Sequence, residues 1–281
     1  MIRRQDIFVL FLYCLGYHKL LNLIFRFQRK PLTRIVTFHD IQPEDFSNFK
    51  TNLGFLKRRT NVVRLEEYFS GRLSTTKINV IITFDDGYKS WVTYAVPILK
   101  EYGLPATFFI SAGFVGLTKE KEAEFIRANL FMTLPPREIS GGLSYEDIRS
   151  ITKVGFTIGG HTLNHRNLGR LTDIAQIRKE IVEDKSRLEK MTQAKIDYFA
   201  YPSGVFLNPS VDLVDILKKS GYKGAVTTIP GFNTTASNPF FLRRDLTRAG
   251  MSLPVFIARS SGNYDLIQFI KERVLKRTRL P

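Results

Sequence analysis

The stretch Val80-Ile81-Ile82-Thr83-Phe84-Asp85-Asp86-Gly87 decides the fold class. Lys77 to Phe84 (KINVIITF) has the short, β-branched, apolar composition of a buried strand. It runs without a break into two carboxylates and a glycine. Adjacent acids at the end of a buried strand raise each other's proton affinity unless a cation lies between or beside them. Successive residues of an extended chain point opposite ways, so one carboxylate can face a metal and the other a substrate water. Gly87 permits the tight turn that exposes both. Taken alone, the pair also fits a strand-end turn with Asp as a helix N-cap.

Outward from this stretch, β-rich runs alternate with helical patterns. Ile35 to His39 (IVTFH), Ala106 to Ile110 (ATFFI), Phe156 to Gly159, Tyr198 to Tyr201 (YFAY) and Gly224 to Thr228 are predicted strands. Helices are predicted near Ser90 to Tyr102, closed by Gly103, over Asp173 to Met191, and over Val211 to Lys219, stopped by Gly221. Such alternation predicts a parallel sheet with covering helices, open or closed into a barrel. The segment Gly116 to Gly142 exceeds a normal connection and is expected to form a lid or rim.

A second constellation is Gly159-Gly160-His161-Thr162-Leu163-Asn164-His165. Two His four apart aim at one point if the segment makes a helical turn, and neutral imidazole is the commonest zinc ligand. The pair alone is equally at home in a surface loop. However, the chain has only 4 His, and His39, His161 and His165 all fall at or just past predicted strand C-terminal ends. Ligands and catalytic groups gather there in parallel α/β folds. An Asp-His-His set holds one metal with an open position for water. The metal acidifies that water and a free Asp removes its proton. His39, beside Asp40, is structural if isolated; beside a metal it can protonate a leaving amine.

Composition narrows the partners. A chain of 281 residues buries a core without disulfides. The single Cys14 excludes a disulfide framework and a Cys-rich zinc module. A net charge of +16 favours anionic partners: phospholipid headgroups, nucleic acid or acidic glycans. No aromatic-basic motif of a nucleic-acid reader appears, so no nucleic acid is expected. The basic residues are denser at the two ends, as suits a membrane surface. Ile7 to Tyr17 (IFVLFLYCLGY) is apolar but too short to span a bilayer, and no small-x-small cleavage site follows it. Residues 1–32 are therefore read as an apolar, basic helical segment at a membrane surface, ended by Pro31. The alternatives are a helix packed on the domain and an uncleaved tilted anchor. Residues 33–281 are the expected catalytic domain. The expected place is a bacterial inner membrane or its cytoplasmic face, with a soluble cytoplasmic protein as the alternative.

Together the motifs resemble the polysaccharide deacetylases of the NodB-homology type, a carbohydrate esterase family. The T-F-D-D-G motif is present as Thr83 to Gly87 and the H-S/T-x-x-H motif as His161 to His165. A third, F-R-P-P-Y-G, is altered to Phe199-Ala200-Tyr201-Pro202-Ser203-Gly204. The resemblance covers roughly Ile35 to Arg244, and its motif layout is closest to the biofilm-glycan deacetylase branch, which carries an early catalytic His. It implies a distorted (β/α) barrel of about seven parallel strands. It implies that Asp86, His161 and His165 hold a divalent metal, usually Zn2+, with Asp85 as the base. The reaction would remove an N-acetyl group from an amino sugar in a glycan or lipid-linked precursor. The N–H of Ser203 would donate to the oxyanion, with Tyr201 and Pro202 at the substrate. Three departures follow. Ala200 replaces the Arg that orients the base, for which Arg243 or Arg244 is the candidate substitute. No His follows His165, so the late acid is absent and His39 is the candidate acid. The small third motif leaves the substrate subsite open. The competing readings are a deformylase on a polyprenyl-phosphate sugar and a non-catalytic glycan-binding barrel.

Overall fold

In the computed structural model, which describes residues 11, 14–16, 31–130, 139–204, 212–263 and 265, the apolar runs pair into one parallel sheet. Its strands are β1 (Thr33–Phe38), β2 (Asn61–Val62), β3 (Asn79–Asp86), β4 (Thr107–Ile110), β5 (Thr157–Gly160), β6 (Tyr198–Ala200), β7 (Gly224–Val226) and β8 (Asp245–Leu246). The order is β7-β6-β5-β4-β3-β1-β8, with β2 beside the first residues of β3. All these pairings are parallel. The sheet curls into the expected barrel-like α/β fold. One segment joins its two margins: Leu242 exchanges hydrogen bonds with Ala225 and Thr227 beside β7, and Asp245 then pairs with Val36 of β1.

The helices are α1 (Phe46–Arg59), α2 (Leu65–Phe69), α3 (Val96–Tyr102), α4 (Lys119–Phe125), α5 (Tyr145–Lys153), α6 (Ile174–Thr192), α7 (Leu213–Lys219) and α8 (Leu253–Ser260). Local chemistry fixes their ends. Asp173 caps α6 by accepting the Ala175 N–H at 2.8 Å. Ser144 and Asp147 form a capping box on α5. Gly103 stops α3 in the left-handed conformation at φ 65. The helix expected from Ser90 starts as a π-turn, Trp91–Ala95, before becoming α3.

Alternation along β3 sorts its side chains into two layers. Val80, Ile82 and Phe84 face the helices, where the Phe84 and Phe108 rings stack at 4.8 Å. Burying a ring of this size contributes about 1.5–3 kcal/mol. Ile81 faces the barrel interior with Ile35, Phe109, Tyr198, Val226 and Leu242. The same alternation sends Thr83 and Asp85 inward, so the interior turns polar toward the C-terminal end of β3.

The long segment after Gly116, expected as a lid or rim, is described except for residues 131–138. It forms α4 and a π-turn, Ile126–Leu130. Its return is tied to the end of β3: Leu143 N–H donates to Gly87 O and Lys89 N–H to Gly141 O, both at 2.9 Å. The predicted segment 1–32 lies almost wholly outside the described residues. Among the described residues, no helix is long and apolar enough to cross a membrane.

Candidate metal and catalytic centre

The Asp pair lies inside β3 rather than beyond it, because Asp85 and Asp86 still pair with Phe109 and Ile110 of β4. At Asp86 the backbone leaves the extended region, with φ 91. That turn breaks the alternation and swings the Asp86 carboxylate toward the loop after β5. There Asp86 Oδ1 lies 3.3 Å from His161 Nε2 and 3.2 Å from His165 Nε2. The ligand atoms of these three residues all lie within 4.8 Å of one another. The His pair converges because Thr162 and His165 are both left-handed, φ 57 and 53, which folds the loop back on itself. Among the described residues, four of the five non-glycine residues with positive φ are Asp86, Thr162, His165 and Ser203. Each such residue costs about 1–3 kcal/mol, and strain of this kind concentrates at functional sites.

The donor set fits a divalent cation. His161 Nδ1 lies 2.7 Å from Ala200 O, and His165 Nδ1 lies 2.9 Å from Asn129 O. A carbonyl only accepts, so each ring hydrogen sits on Nδ1 and each Nε2 presents a lone pair. Asp86 Oδ1 is buried and makes no hydrogen bond. Three lone-pair atoms thus face one another in a buried place, an arrangement that a cation stabilises and an apolar void does not. The electrostatics agree. Burial opposes ionisation of Asp86, yet His165 and His161 hold its pKa well below the ordinary carboxylate value. Burial opposes a charged His165, yet Asp86 beside it raises its pKa, so a proton and a cation compete for the same Nε2 lone pair. Burial first, then Asp86, pushes the neighbouring Tyr88 hydroxyl well up.

Asp85 has a different environment. Arg244 grips it with Nη1–Oδ1 and Nη2–Oδ2 bonds of 2.6 Å each. The guanidinium is fixed in turn: its Nε donates to Thr227 O at 2.9 Å, and its Nη1 lies 3.3 Å from the hydroxyls of Thr37 and Thr83. Both side chains are essentially buried, at 0% and 3% exposure. Burial pushes the Asp85 pKa up, but Arg244 and then His161 pull it below its ordinary value. Of the two candidate arginines, Arg244 is the one that meets Asp85; Arg243 donates to Pro230 O at 3.1 Å. The joining segment that closes the sheet is what brings Arg244 in.

The remaining predicted residues divide. His39 follows the Phe38–Phe84 pair by one residue, opposite Asp85, and its charge acts on both Asp85 and Asp86. Its backbone is held by Trp91, whose indole N–H donates to His39 O at 3.0 Å. Ser203 is exposed in the turn after β6. The expectation of Tyr201 as a substrate contact needs correction. Its side chain is 2% exposed and its hydroxyl donates to Phe240 O at 3.1 Å, inside the core. Pro202 is buried beside it. Motif reading also missed Glu180 and Asp184 of α6, which hold the His loop from behind. The available signal was two acids on the apolar stripe of an amphipathic helix, with Ile177, Ile181 and Leu188.

Comparison with known proteins matches this geometry. The family model described as polysaccharide deacetylase matches residues 72–225, just over half of the chain. The chain is 28% identical over 177 residues to YxkH of Bacillus subtilis, covering 63% of this chain and 54% of that protein. It is 28% identical over 211 residues to the poly-β-1,6-N-acetyl-D-glucosamine N-deacetylase of Staphylococcus aureus, covering 71% of this chain and 66% of that protein. It thus spans between about half and two-thirds of these curated relatives. Among solved structures, the deacetylase PplD of Streptococcus pyogenes, in complex with acetate, superposes with a TM-score of 0.64 at 23% identity, covering 82% of this chain and 99% of that one. IcaB from Ammonifex degensii gives a TM-score of 0.61 at 23% identity, covering 76% of this chain and 91% of that one. At such identities these two likenesses speak for the fold. With its motifs in order, its sheet of the same type and a family model spanning more than half of its length, the chain belongs to the polysaccharide deacetylase family.

Proposed function

We propose that this chain is a metal-dependent carbohydrate de-N-acetylase, acting on an amino sugar in a glycan or lipid-linked glycan precursor. One observation carries the reading: the lone pairs of Asp86, His161 and His165 converge beside an Asp85 that is held ionised by Arg244. Those three residues would hold a divalent cation, Zn2+ by the two-nitrogen, one-oxygen donor set, supplying Lewis acidity toward the acyl carbonyl and its attacking water. Asp85 takes the proton of that water as the oxygen adds to the acyl carbon. The Ser203 N–H donates to the oxyanion. His39 delivers a proton to the amine nitrogen as the carbon–nitrogen bond breaks. Acetate and a free amino sugar leave.

The name of the staphylococcal relative points to β-1,6-linked N-acetylglucosamine as the first substrate to try. Arg244 on Asp85 favours catalysis over a non-catalytic glycan-binding barrel. Residues 33–281 form the catalytic unit in this reading. Residues 1–32 are assigned to a membrane surface on the strength of their apolar run and basic flanks, with a bacterial inner membrane or its cytoplasmic face as the proposed location. The test is mass spectrometry of the acid released from N-acetylglucosamine oligomers by zinc-loaded protein. Acetate with a matching count of new amines is expected. Release of formate alone, from formylated sugars, would reassign the acyl group. Binding without release of any acid would refute the enzyme.

A further inference from the structure

Two carboxylates unused by the proposed chemistry sit where an amphipathic helix places apolar side chains. Glu180 and Asp184 lie one turn apart on α6, 5% and 0% exposed. Burying two carboxyl groups this close is costly unless hydrogen bonds compensate; burial, aided by Glu180, pushes the Asp184 pKa up to about 8 against the two backbone hydrogen bonds that lower it. What they hold is the His loop and, at Ala112, the chain just after β4. Asp184 Oδ2 accepts the His161 N–H at 2.9 Å, and its Oδ1 accepts the Ala112 N–H at the end of β4 at 2.8 Å. Glu180 accepts both the backbone N–H and the side-chain amide of Asn164, each at 2.8 Å. Its own carbonyl accepts the Leu163 N–H at 2.9 Å. From the other side, Ser111 Oγ donates to His161 O at 2.9 Å, and Gly113 N–H donates to Leu163 O at 2.8 Å.

The N–H groups of His161, Leu163 and Asn164 thus all end on α6. The residues between and beyond them, Thr162 and His165, are the two left-handed ones. A strained loop persists only where its surroundings over-determine it. A neutral side chain could hold one N–H of this loop at far lower burial cost. Here the two N–H groups end on different oxygens of Asp184, and only a carboxylate presents an acceptor at both positions. We infer that Glu180 and Asp184 are positioning residues of the metal centre, holding the His161–His165 loop in its ligating shape. The inference rests on the metal-centre reading given above.

The test uses the full chain and Zn2+ itself. Asp184→Asn leaves an amide NH2 opposing one of the two N–H groups, and Glu180→Leu removes both acceptors that hold Asn164. The double variant Asn164→Asp with Glu180→Gln reverses donor and acceptor between the two side chains and restores the match. Zn2+ affinity is read by competition with a chromophoric chelator, and the fold by thermal melting of the metal-free protein. Each single variant should weaken Zn2+ by about 10–100-fold while the metal-free protein still melts cooperatively. The double variant should recover most of that loss. At saturating Zn2+, KM should stay near the wild-type value. Wild-type Zn2+ affinity in a folded Glu180→Leu protein would overturn the inference and leave the metal centre standing. So would a double variant that melts like wild type and still binds Zn2+ weakly, whether or not Asp184→Asn folds. A wild-type protein that binds no Zn2+ would overturn the metal centre and this inference with it.

Discussion

Replacing Arg244 by Met isolates the best-defined interaction of the site. The change removes both 2.6 Å bonds to Asp85 and the 2.9 Å bond to Thr227 O, and leaves Asp85 only 2% exposed without a counter-charge. Breaking one side of such a buried pair costs about 3–5 kcal/mol, because the surviving charge is desolvated and alone. Removing both partners costs less than that sum. The double variant Asp85→Asn, Arg244→Met should therefore recover about 2–3 kcal/mol relative to additivity. Equilibrium urea unfolding at neutral pH reads all four corners of the cycle. With a slope of about 3 kcal/mol/M, Arg244→Met should lower the midpoint by roughly 1–1.7 M at unchanged slope. Arg244→Lys should fall well short of full rescue, since an ammonium lacks the planar fork that meets both oxygens and Thr227 O together. A loss under about 1 kcal/mol with additive single variants would refute the view that Arg244 holds an ionised, buried Asp85.

Three further outcomes follow from the same geometry. A methyl added at Gly113 would lie 2.4 Å from Leu163 O and 2.9 Å from Asn164 Oδ1; Gly113→Ala should cost about 1–3 kcal/mol and lower Tm by several degrees in a thermal melt. Ser203 contributes only its N–H in the proposed reaction, so Ser203→Ala should keep kcat within about twofold; a drop of tenfold or more would give its hydroxyl a role. Asp147 caps α5 and meets Lys89 at 2.5 Å; burial opposes its ionisation, yet the Lys89 and Ser144 hydrogen bonds hold its pKa below the ordinary value. A carboxylate lowered in the fold adds stability above its unfolded value and loses it as pH falls through the folded one. Asp147→Asn should therefore flatten the stability-against-pH curve below about pH 4.

Much of this was legible in the sequence, for reasons that differ by element. β3 announces itself because five of its residues, Val80 to Phe84, are β-branched, aromatic or strongly apolar in a row. α6 was readable almost to the residue because Asp173 caps it. The candidate metal site was readable because three of only 4 His fall at strand ends beside a carboxylate pair. The short strands β2 and β8 were not, since two residues carry no periodicity. Arg243 and Arg244 were indistinguishable for a related reason. Neighbours on an extended chain face opposite ways, and only the phase set by the Val36–Asp245 pairing chooses between them. Tyr201 stood within a motif that suggested substrate contact, but its ring belongs to the core and its hydroxyl to Phe240 O. Glu180 and Asp184 were visible as acids on an apolar stripe, and what they hold became clear only when α6 met the His loop.

Metal content measured on purified, zinc-loaded protein, alongside acetate release by the same samples, tests the central claim most directly. The wild-type chain should retain one Zn2+ per molecule and release acetate. Asp85→Asn should retain the ion and lose release, and Asp86→Ala should lose both. An Asp86→Ala protein that keeps its Zn2+, or an Asp85→Asn protein that releases acetate at the wild-type rate, would contradict the division of the Asp pair into base and ligand.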